Sequence, residues 1–521
     1  MKKIIIYPFF LSLFPVVALL GHNAGELRAT DGLRAVVLVL LISACLFLLF
    51  RLFLRSWDKA ALLTSFLLLL LLSYGHLYHG LRAQLPFGIQ VIRHRYLAIV
   101  LIFVILLGYH YLRGLQNPGR MTVSLNLISA LLLVYPISQL VISEWKTSHE
   151  PEFTAVAAED CRFSLPEERK PPDIYYIILD AYARNDVMKR TYGFDNQAFL
   201  DDLTERGFYV ANGSQSNYAR TGISLDSALN MSYFDLSSGS PIRTEQGNYS
   251  TTLSIGNNVV RKELACLGYK IIAFDSGYYW SGWRDADVYL SPVESTETEL
   301  FSARVNPFES LLVYNSVGLL ALDTKQWLST DLQQAIDDPL LLHRERVLYA
   351  LEKTGEYVPS LQSPKFVFVH VVSPHPPYVL GLASDSGALS GPFSLRSLTD
   401  YSTGISETDG YRNQVRDLNQ RVLHTVDGIL ANSQSPAVII LQGDHGIGSG
   451  MNDRMSILNA YYLPSGAAGR LYPTITPVNT FRVIFNAYFE GDMPLLPDHT
   501  YFSEYESLFD FTEVINQYTE P

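Results

Sequence analysis

Cysteine is scarce in this chain, with 3 in 521 residues. Cys45 falls inside a long apolar run and reads as a packing residue, which leaves Cys161 and Cys266 as either a disulfide or two buried thiols. Positive charge is also short: 39 Lys and Arg stand against 51 Asp and Glu, a formal charge of −12, with no basic stripe or arginine-rich arm. That balance excludes nucleic acid as an expected partner. Internal repeats and low-complexity tracts are missing too. No Asp, Glu, Lys or Arg stands near the middle of the long apolar runs, and Arg51 lies close enough to an end to snorkel. Carriers place charges there, so a non-catalytic carrier or receptor is disfavoured.

What the chain does have is an apolar N-terminal third. Five runs, Ile4 to Leu20, Ala35 to Leu54, Ala60 to Tyr78, Tyr96 to Leu112 and Val123 to Ile142, each span roughly 17 to 20 residues, about what a helix needs to cross a bilayer. Lys2 and Lys3 before the first run also fit a signal peptide, but no small-x-small cleavage site follows, so an anchor is expected. With the N-terminus inside, Lys2, Lys3, Arg51, Arg55, Lys59, Arg113 and Arg120 lie in the cytoplasm. Arg28, Arg34, Arg82, Arg93 and Arg95 lie outside. The bias is weakly positive-inside and places everything after Ile142 outside the cytoplasm. The organisation predicted is an all-α transmembrane bundle over 1–142, a polar linker over 143–172 and an extracytoplasmic domain over 173–521.

In that last part, short β-rich runs alternate with helical patterns. The expected strands are Asp173 to Leu179, Tyr269 to Phe274, Lys365 to Val372 and Ala437 to Gln442. Helical periodicity marks Asn196 to Arg206, Val259 to Leu267, Leu340 to Lys353 and Tyr411 to Ala431. Such alternation predicts an α/β sandwich over a mostly parallel sheet. The tail from Leu471 predicts a helix and a closing strand or two.

Polar residues stand at the downstream ends of several strands: Asp180, His375, and Asp444-His445-Gly446 after Gly443. In a parallel sheet these ends share one rim, where open α/β sheets place their chemistry. Asp444 and His445 alone are equally a turn or a pair of hard and borderline metal ligands. Asp180 is equally a turn residue. Thr221 precedes an amphipathic pattern carrying Ile223, Leu225, Ala228 and Leu229, so it is either a helix N-cap or a metal-activated oxygen nucleophile.

Four segments, Ile174 to Arg184 (IYYIILDAYAR), Asn217 to Met231, His370 to Tyr378 (HVVSPHPPY) and Gln442 to Gly446 (QGDHG), resemble the alkaline phosphatase and sulfatase superfamily. With five spans ahead of them they resemble its membrane-anchored lipoteichoic-acid synthases and phosphoethanolamine transferases. The resemblance implies an alkaline phosphatase-like αβα fold on the periplasmic side of a bacterial-type inner membrane. It implies one divalent ion, Zn, Mn or Mg, on Asp180, Thr221, Asp444 and His445, with Thr221 as nucleophile. It further implies that His370 and His375 face the substrate phosphate or protonate the leaving group. His370, inside an apolar strand, is also readable as a core histidine, and Arg454 as either an anion clamp or a solvated arginine.

Two departures separate this chain from named subfamilies. Formylglycine sulfatases need Cys or Ser in a C/S-x-P-x-R sequence, whereas Thr221-Gly-Ile-Ser-Leu stands here, and Asp180 replaces the transferases' glutamate. The expected function is transfer of a phospho-substituent from a phospholipid-type donor to a glycan or lipid acceptor beside the bilayer. A sulfatase-like hydrolase with the same site is the alternative.

Overall fold

The computed structural model describes residues 4–24, 27–84, 93–148, 161–166, 170–234, 255–293, 305–324, 327, 329–381, 406–448, 450–504, 507 and 509–518. The chain divides into two compact units. One consists chiefly of Met1–His149 with Ser295–Leu340, the other of Glu150–Glu294, Leu341–Leu389 and Ser397–Pro521.

The first unit is helical. Ala29–Leu54, His94–Gly114 and Pro118–Trp145, of 26, 21 and 28 residues, are long and apolar enough to cross a membrane. Trp57–Leu72 and Tyr74–Arg82 meet that standard only as a pair bent by 45°, and Tyr7–His22 is apolar but 16 residues long. Leu52 and Phe53, each 74% exposed, typify the outward apolar side chains of this unit, a surface suited to hydrocarbon and not to water. Cys45 is among the exposed residues and not a packing residue, because its helix is so little covered by its neighbours. Where hydrocarbon cannot satisfy a helix end, a side chain does: Asn126 Oδ1 accepts from the N–H groups of Ile6 and Tyr7 at 3.2 and 3.0 Å. The helix Pro307–Asn315 belongs to the same unit, and Glu309 in its first turn takes the guanidinium of Arg34 through two hydrogen bonds.

The second unit is built on a seven-stranded sheet. Its strands are β1 (Asp173–Leu179), β2 (Tyr209–Val210), β3 (Lys270–Phe274), β4 (Val288–Leu290), β5 (Lys365–Val371), β6 (Ala437–Gln442) and β7 (Asn459–Tyr462), in the order β2-β7-β6-β1-β5-β3-β4. The five from β6 to β4 run parallel, and β7 and β2 close one edge antiparallel. Thus the fold class expected from the sequence, apolar N-terminal helices followed by an α/β unit over a mostly parallel sheet, is what the structure shows. All seven residues of β1 are buried, as a strand covered by helices on both faces requires. The register sets Ile178 of β1 beside His370 of β5 and Gln442 of β6, so the residues that follow all three strands emerge together.

At the opposite rim a buried ion pair fixes β1 to β5. Lys365 Nζ donates to Asp173 Oδ2 at 2.7 Å and to the Leu361 carbonyl at 3.0 Å, with both charged side chains fully buried. Removing the cation would leave Asp173 uncompensated, so Lys365→Met should destabilise this unit by about 3–5 kcal/mol. Denaturant unfolding followed by tryptophan fluorescence checks this; a loss below about 1 kcal/mol, the range of an exposed pair, would contradict it.

Cys161 and Cys266 are joined as a disulfide with Cα atoms 5.7 Å apart. Of the segment read as a linker, the helix Thr122–Ser148 takes the start, 149–160 lies outside the described residues, and Phe163 is buried in the core of the second unit. In the tail, the helix Pro477–Tyr488 sets Phe481 edge-on to Tyr176 of β1 at 5.0 Å, and Tyr501–Phe502 pairs with Thr512–Glu513.

Candidate metal centre

The rim where β1, β5 and β6 end gathers polar side chains that are all buried: Asp180, Thr221, His370, His375, Asp444, His445 and Arg454. After β1 the chain turns through Ala181, which has a left-handed φ of 63° and donates its N–H to Asp444 Oδ1 at 3.0 Å. After β6 the chain passes close to its neighbours at two glycines. A Cβ on Gly443 would lie 2.6 Å from the Tyr182 carbonyl, and one on Gly446 would lie 2.5 Å from the Asp453 carbonyl. Asp444 and His445 sit between these two contacts, and Ser224 Oγ donates to the Asp444 carbonyl at 2.6 Å.

Thr221 is the first residue of the helix Thr221–Asn230. Arg220 holds the N-cap position and no side chain caps that helix, so Thr221 is not a cap. Its Oγ1 lies 3.2 Å from His445 Nε2. The other ring nitrogen, His445 Nδ1, is 2.9 Å from the Gly446 carbonyl, an obligate acceptor, which assigns the proton to Nδ1 and leaves Nε2 with a lone pair. Arg454 Nη2 approaches the same lone pair at 3.1 Å, and its Nε donates to the Ala219 carbonyl at 3.1 Å. Arg454 is therefore a buried part of the rim and not a solvated arginine.

Two carboxylate oxygens face this nitrogen. Asp444 Oδ2 stands 3.5 Å from His445 Nε2 and Asp180 Oδ1 stands 3.7 Å from it. Both oxygens are buried and have no hydrogen-bond partner. Buried anionic oxygens facing a lone pair are unfavourable unless a cation lies among them. Ligand atoms about 2.0–2.2 Å from a tetrahedral ion lie about 3.3–3.6 Å from one another, close to the spacing here. Asp180, His370 and Asp444 likewise offer one ligand atom each, all within 4.8 Å. The donor set of two carboxylates, imidazole and hydroxyl fits one divalent ion of the Zn, Mn or Mg type.

The electrostatics agree. Burial and then the Asp180 charge push the Asp444 carboxyl up to about 7. Burial also opposes ionisation of Asp180, but His375, His370 and His445 outweigh it and hold that carboxyl well below the usual range. Burial, reinforced by Arg454, drives His445 well below an ordinary imidazole, and burial lowers His375 as well.

His370 Nε2 lies 3.3 Å from Asp180 Oδ2, so this histidine meets the rim and is not a plain core residue. The His375 ring is 6.4 Å from that of His445, and its Nδ1 is 2.5 Å from the Pro376 carbonyl. Sequence patterning passed over the turn after β3, whose Ser281 Oγ lies 2.9 Å from His370 Nδ1, and over buried His343. Burial and then Arg346 press the His343 ring down to about 3. A polar residue downstream of a parallel strand was the only signal available for that turn.

No family model matches the chain, and no curated protein matches it. Among solved structures, the zinc-complexed C-terminal periplasmic domain of EcEptC from Escherichia coli is similar over 69% of this chain and 96% of its own, at 12% identity and a TM-score of 0.42. The integral membrane protein lipooligosaccharide phosphoethanolamine transferase A from Neisseria meningitidis is similar over 89% of each chain, at 12% identity and a TM-score of 0.36. A protein in the alkaline phosphatase superfamily from Vibrio parahaemolyticus covers 65% of this chain and 72% of its own, at 12% identity and a TM-score of 0.34. At such identity and superposition a shared activity does not follow.

Proposed function

We propose that this chain is a metal-dependent enzyme, anchored by its apolar helices, that moves a phospho-substituent from a phospholipid-type donor to a glycan or lipid acceptor. Thr221 is the nucleophile in this reading. The observation that carries it is the pair of unpartnered buried oxygens, Asp180 Oδ1 and Asp444 Oδ2, set against His445 Nε2 with the Thr221 hydroxyl alongside. In this reading Asp180, Asp444, His445 and Thr221 hold the ion. When bound, a divalent ion supplies positive charge that eases loss of the hydroxyl proton and offsets charge on the phosphoryl group.

The residues divide the remaining work. The Thr221 hydroxyl gives up its proton and its oxygen forms a bond to phosphorus as the bond from phosphorus to the donor's lipid oxygen breaks. The lipid leaves as an alcohol with a proton taken up in exchange, and Thr221 carries the phospho-substituent as an ester. An acceptor hydroxyl then displaces Thr221, and the acceptor's proton is passed on so that the Thr221 hydroxyl is restored. His375, with Nδ1 turned to the Pro376 carbonyl, keeps Nε2 as the atom to take up that proton and hand it on. Arg454 Nη2, now on His445 Nε2, is placed to meet an anionic oxygen once that nitrogen has another partner. An apolar anchor suits an enzyme whose donor is itself a bilayer component.

Incubating the purified full-length protein with head-group-labelled phospholipid, candidate glycan and lipid acceptors, and either divalent metal or chelator tests the reading. Label is expected on an acceptor and only with metal. Label released to water with every acceptor would mark a hydrolase, and no turnover under any condition would remove the enzymatic reading.

A further inference from the structure

The three imidazoles at this rim are not held alike. His445 Nδ1 faces the Gly446 carbonyl at 2.9 Å and His375 Nδ1 faces the Pro376 carbonyl at 2.5 Å. A carbonyl only accepts, so both rings are locked with the proton on Nδ1. His370 Nδ1 instead faces a hydroxyl, Ser281 Oγ, at 2.9 Å. Ser281 Oγ is in turn 2.7 Å from Ser276 Oγ, and Ser276 Oγ lies 3.2 Å from the Tyr278 carbonyl and accepts from the Tyr278 N–H at 3.1 Å. Both serines are buried, Ser281 completely.

A hydroxyl both donates and accepts, so this chain can run in two directions. In one, Ser276 donates to Ser281 and Ser281 to His370 Nδ1, which leaves the proton on Nε2, 3.3 Å from Asp180 Oδ2. In the other, His370 Nδ1–H donates to Ser281, Ser281 to Ser276, and Ser276 to the Tyr278 carbonyl. His370 Nε2 then presents a lone pair to the space beside Asp180. Each direction satisfies every hydroxyl, and the ring is neutral in both. Passing from one to the other moves one ring proton from Nε2 to Nδ1 by exchange with water and rotates two hydroxyls, with no net gain or loss.

We propose that Ser281, backed by Ser276, is a positioning residue that lets His370 alternate between hydrogen-bond donor to Asp180 and an additional ligand of the metal centre. Asp180 is thereby met in turn by an N–H and by the ion. This inference rests on the metal centre proposed above. A fixed carbonyl behind His370 would allow only the ligand state. Alanine at 281 leaves Nδ1 without a partner in either state and releases the ring from its orientation. A group behind a metal-bound histidine typically accounts for about 10–100-fold in metal affinity.

The test is a Co²⁺ titration of the full-length protein in detergent, read by the visible absorption of the bound ion, with Zn²⁺ competition. Ser281→Ala should weaken binding by about 10–100-fold and shift or weaken the Co²⁺ bands. Ser281→Thr, which keeps the hydroxyl, should restore both. Ser276→Ala, one hydrogen bond further out, should move them in the same direction by less. Should Ser281→Ala fail to fold, Ser281→Thr and Ser276→Ala decide between them: a Ser276→Ala titration and spectrum identical to wild type overturn the relay. Wild-type affinity and spectrum in a folded Ser281→Ala protein overturn the role of Ser281 alone. A wild-type protein that takes up no Co²⁺ overturns the metal centre itself.

Discussion

Asp444→Asn should lower divalent-metal affinity by at least about 100-fold while leaving the metal-free protein as stable as before, or more so, whereas Asp180→Asn should lower affinity by a similar factor without that gain, because the histidines around Asp180 favour its charge. Each change keeps the side-chain shape and removes one of two buried charges that now repel each other. Burial and the charge of Asp180 push the Asp444 carboxyl up, so the metal-free fold bears a cost at this rim that Asp444→Asn relieves. The same change removes an unpartnered oxygen that stands 3.5 Å (Asp444) or 3.7 Å (Asp180) from His445 Nε2. In Asp444→Asn stability and binding therefore move in opposite directions, which a general packing defect would not produce. Thermal unfolding with and without metal separates the two. An ion at 100 times its dissociation constant adds about 2.7 kcal/mol to the wild type, and that increment should fall to about 0.4 kcal/mol or less in both variants. A variant that keeps the increment would show that its carboxylate is not a ligand.

Thr221→Ala should lower turnover by at least about 10³-fold while the protein still binds one metal ion. The substitution removes the proposed attacking oxygen. It leaves the helix Thr221–Asn230 its start, because Arg220 and not Thr221 occupies the N-cap position. It also leaves Asp180, Asp444 and His445 in place, so metal binding should weaken and not disappear. Thr221→Ser keeps a hydroxyl and should retain measurable transfer. Steady-state turnover set beside metal stoichiometry checks this, and wild-type turnover in Thr221→Ala would remove the threonine mechanism.

Much of this site was legible in the sequence because sheet topology converts strand ends into neighbours. Runs such as DIYYIIL and AVIILQ are too apolar and β-branched to be anything but buried strands, and each is observed at the expected residues. Once they are parallel, Asp180 and Asp444-His445 must share a rim, however far apart in sequence. Thr221 was visible for a different reason, as a hydroxyl opening a helical pattern that reads as amphipathic, although the helix Thr221–Asn230 is buried from Thr221 through Leu229. Arg454 was placed by its nearness to His445 in sequence, but nothing in the pattern told that its short helix Met451–Met455 is turned inward.

What the sequence hid were contacts made by common residues across long separations. Ser281 meets His370 from 89 residues away, and a serine in a polar turn carries no periodicity to mark it. The Cys161–Cys266 bridge closes over 105 residues, and two cysteines in so long a stretch fix no pairing. The return of Ser295–Leu340 to the N-terminal unit is equally silent, since Glu309 advertises a helix cap but not the Arg34 that it meets.

The central claim is that Thr221 becomes covalently linked to the transferred group in a metal-dependent step. The most direct measurement is mass spectrometry of tryptic peptides from the full-length protein, acid-quenched during turnover of a phospholipid donor with metal and without acceptor. The account predicts a phospho-substituent on Thr221 that is absent with chelator and disappears when acceptor is added. Turnover of the donor with the modification on another residue, or on none, would contradict it.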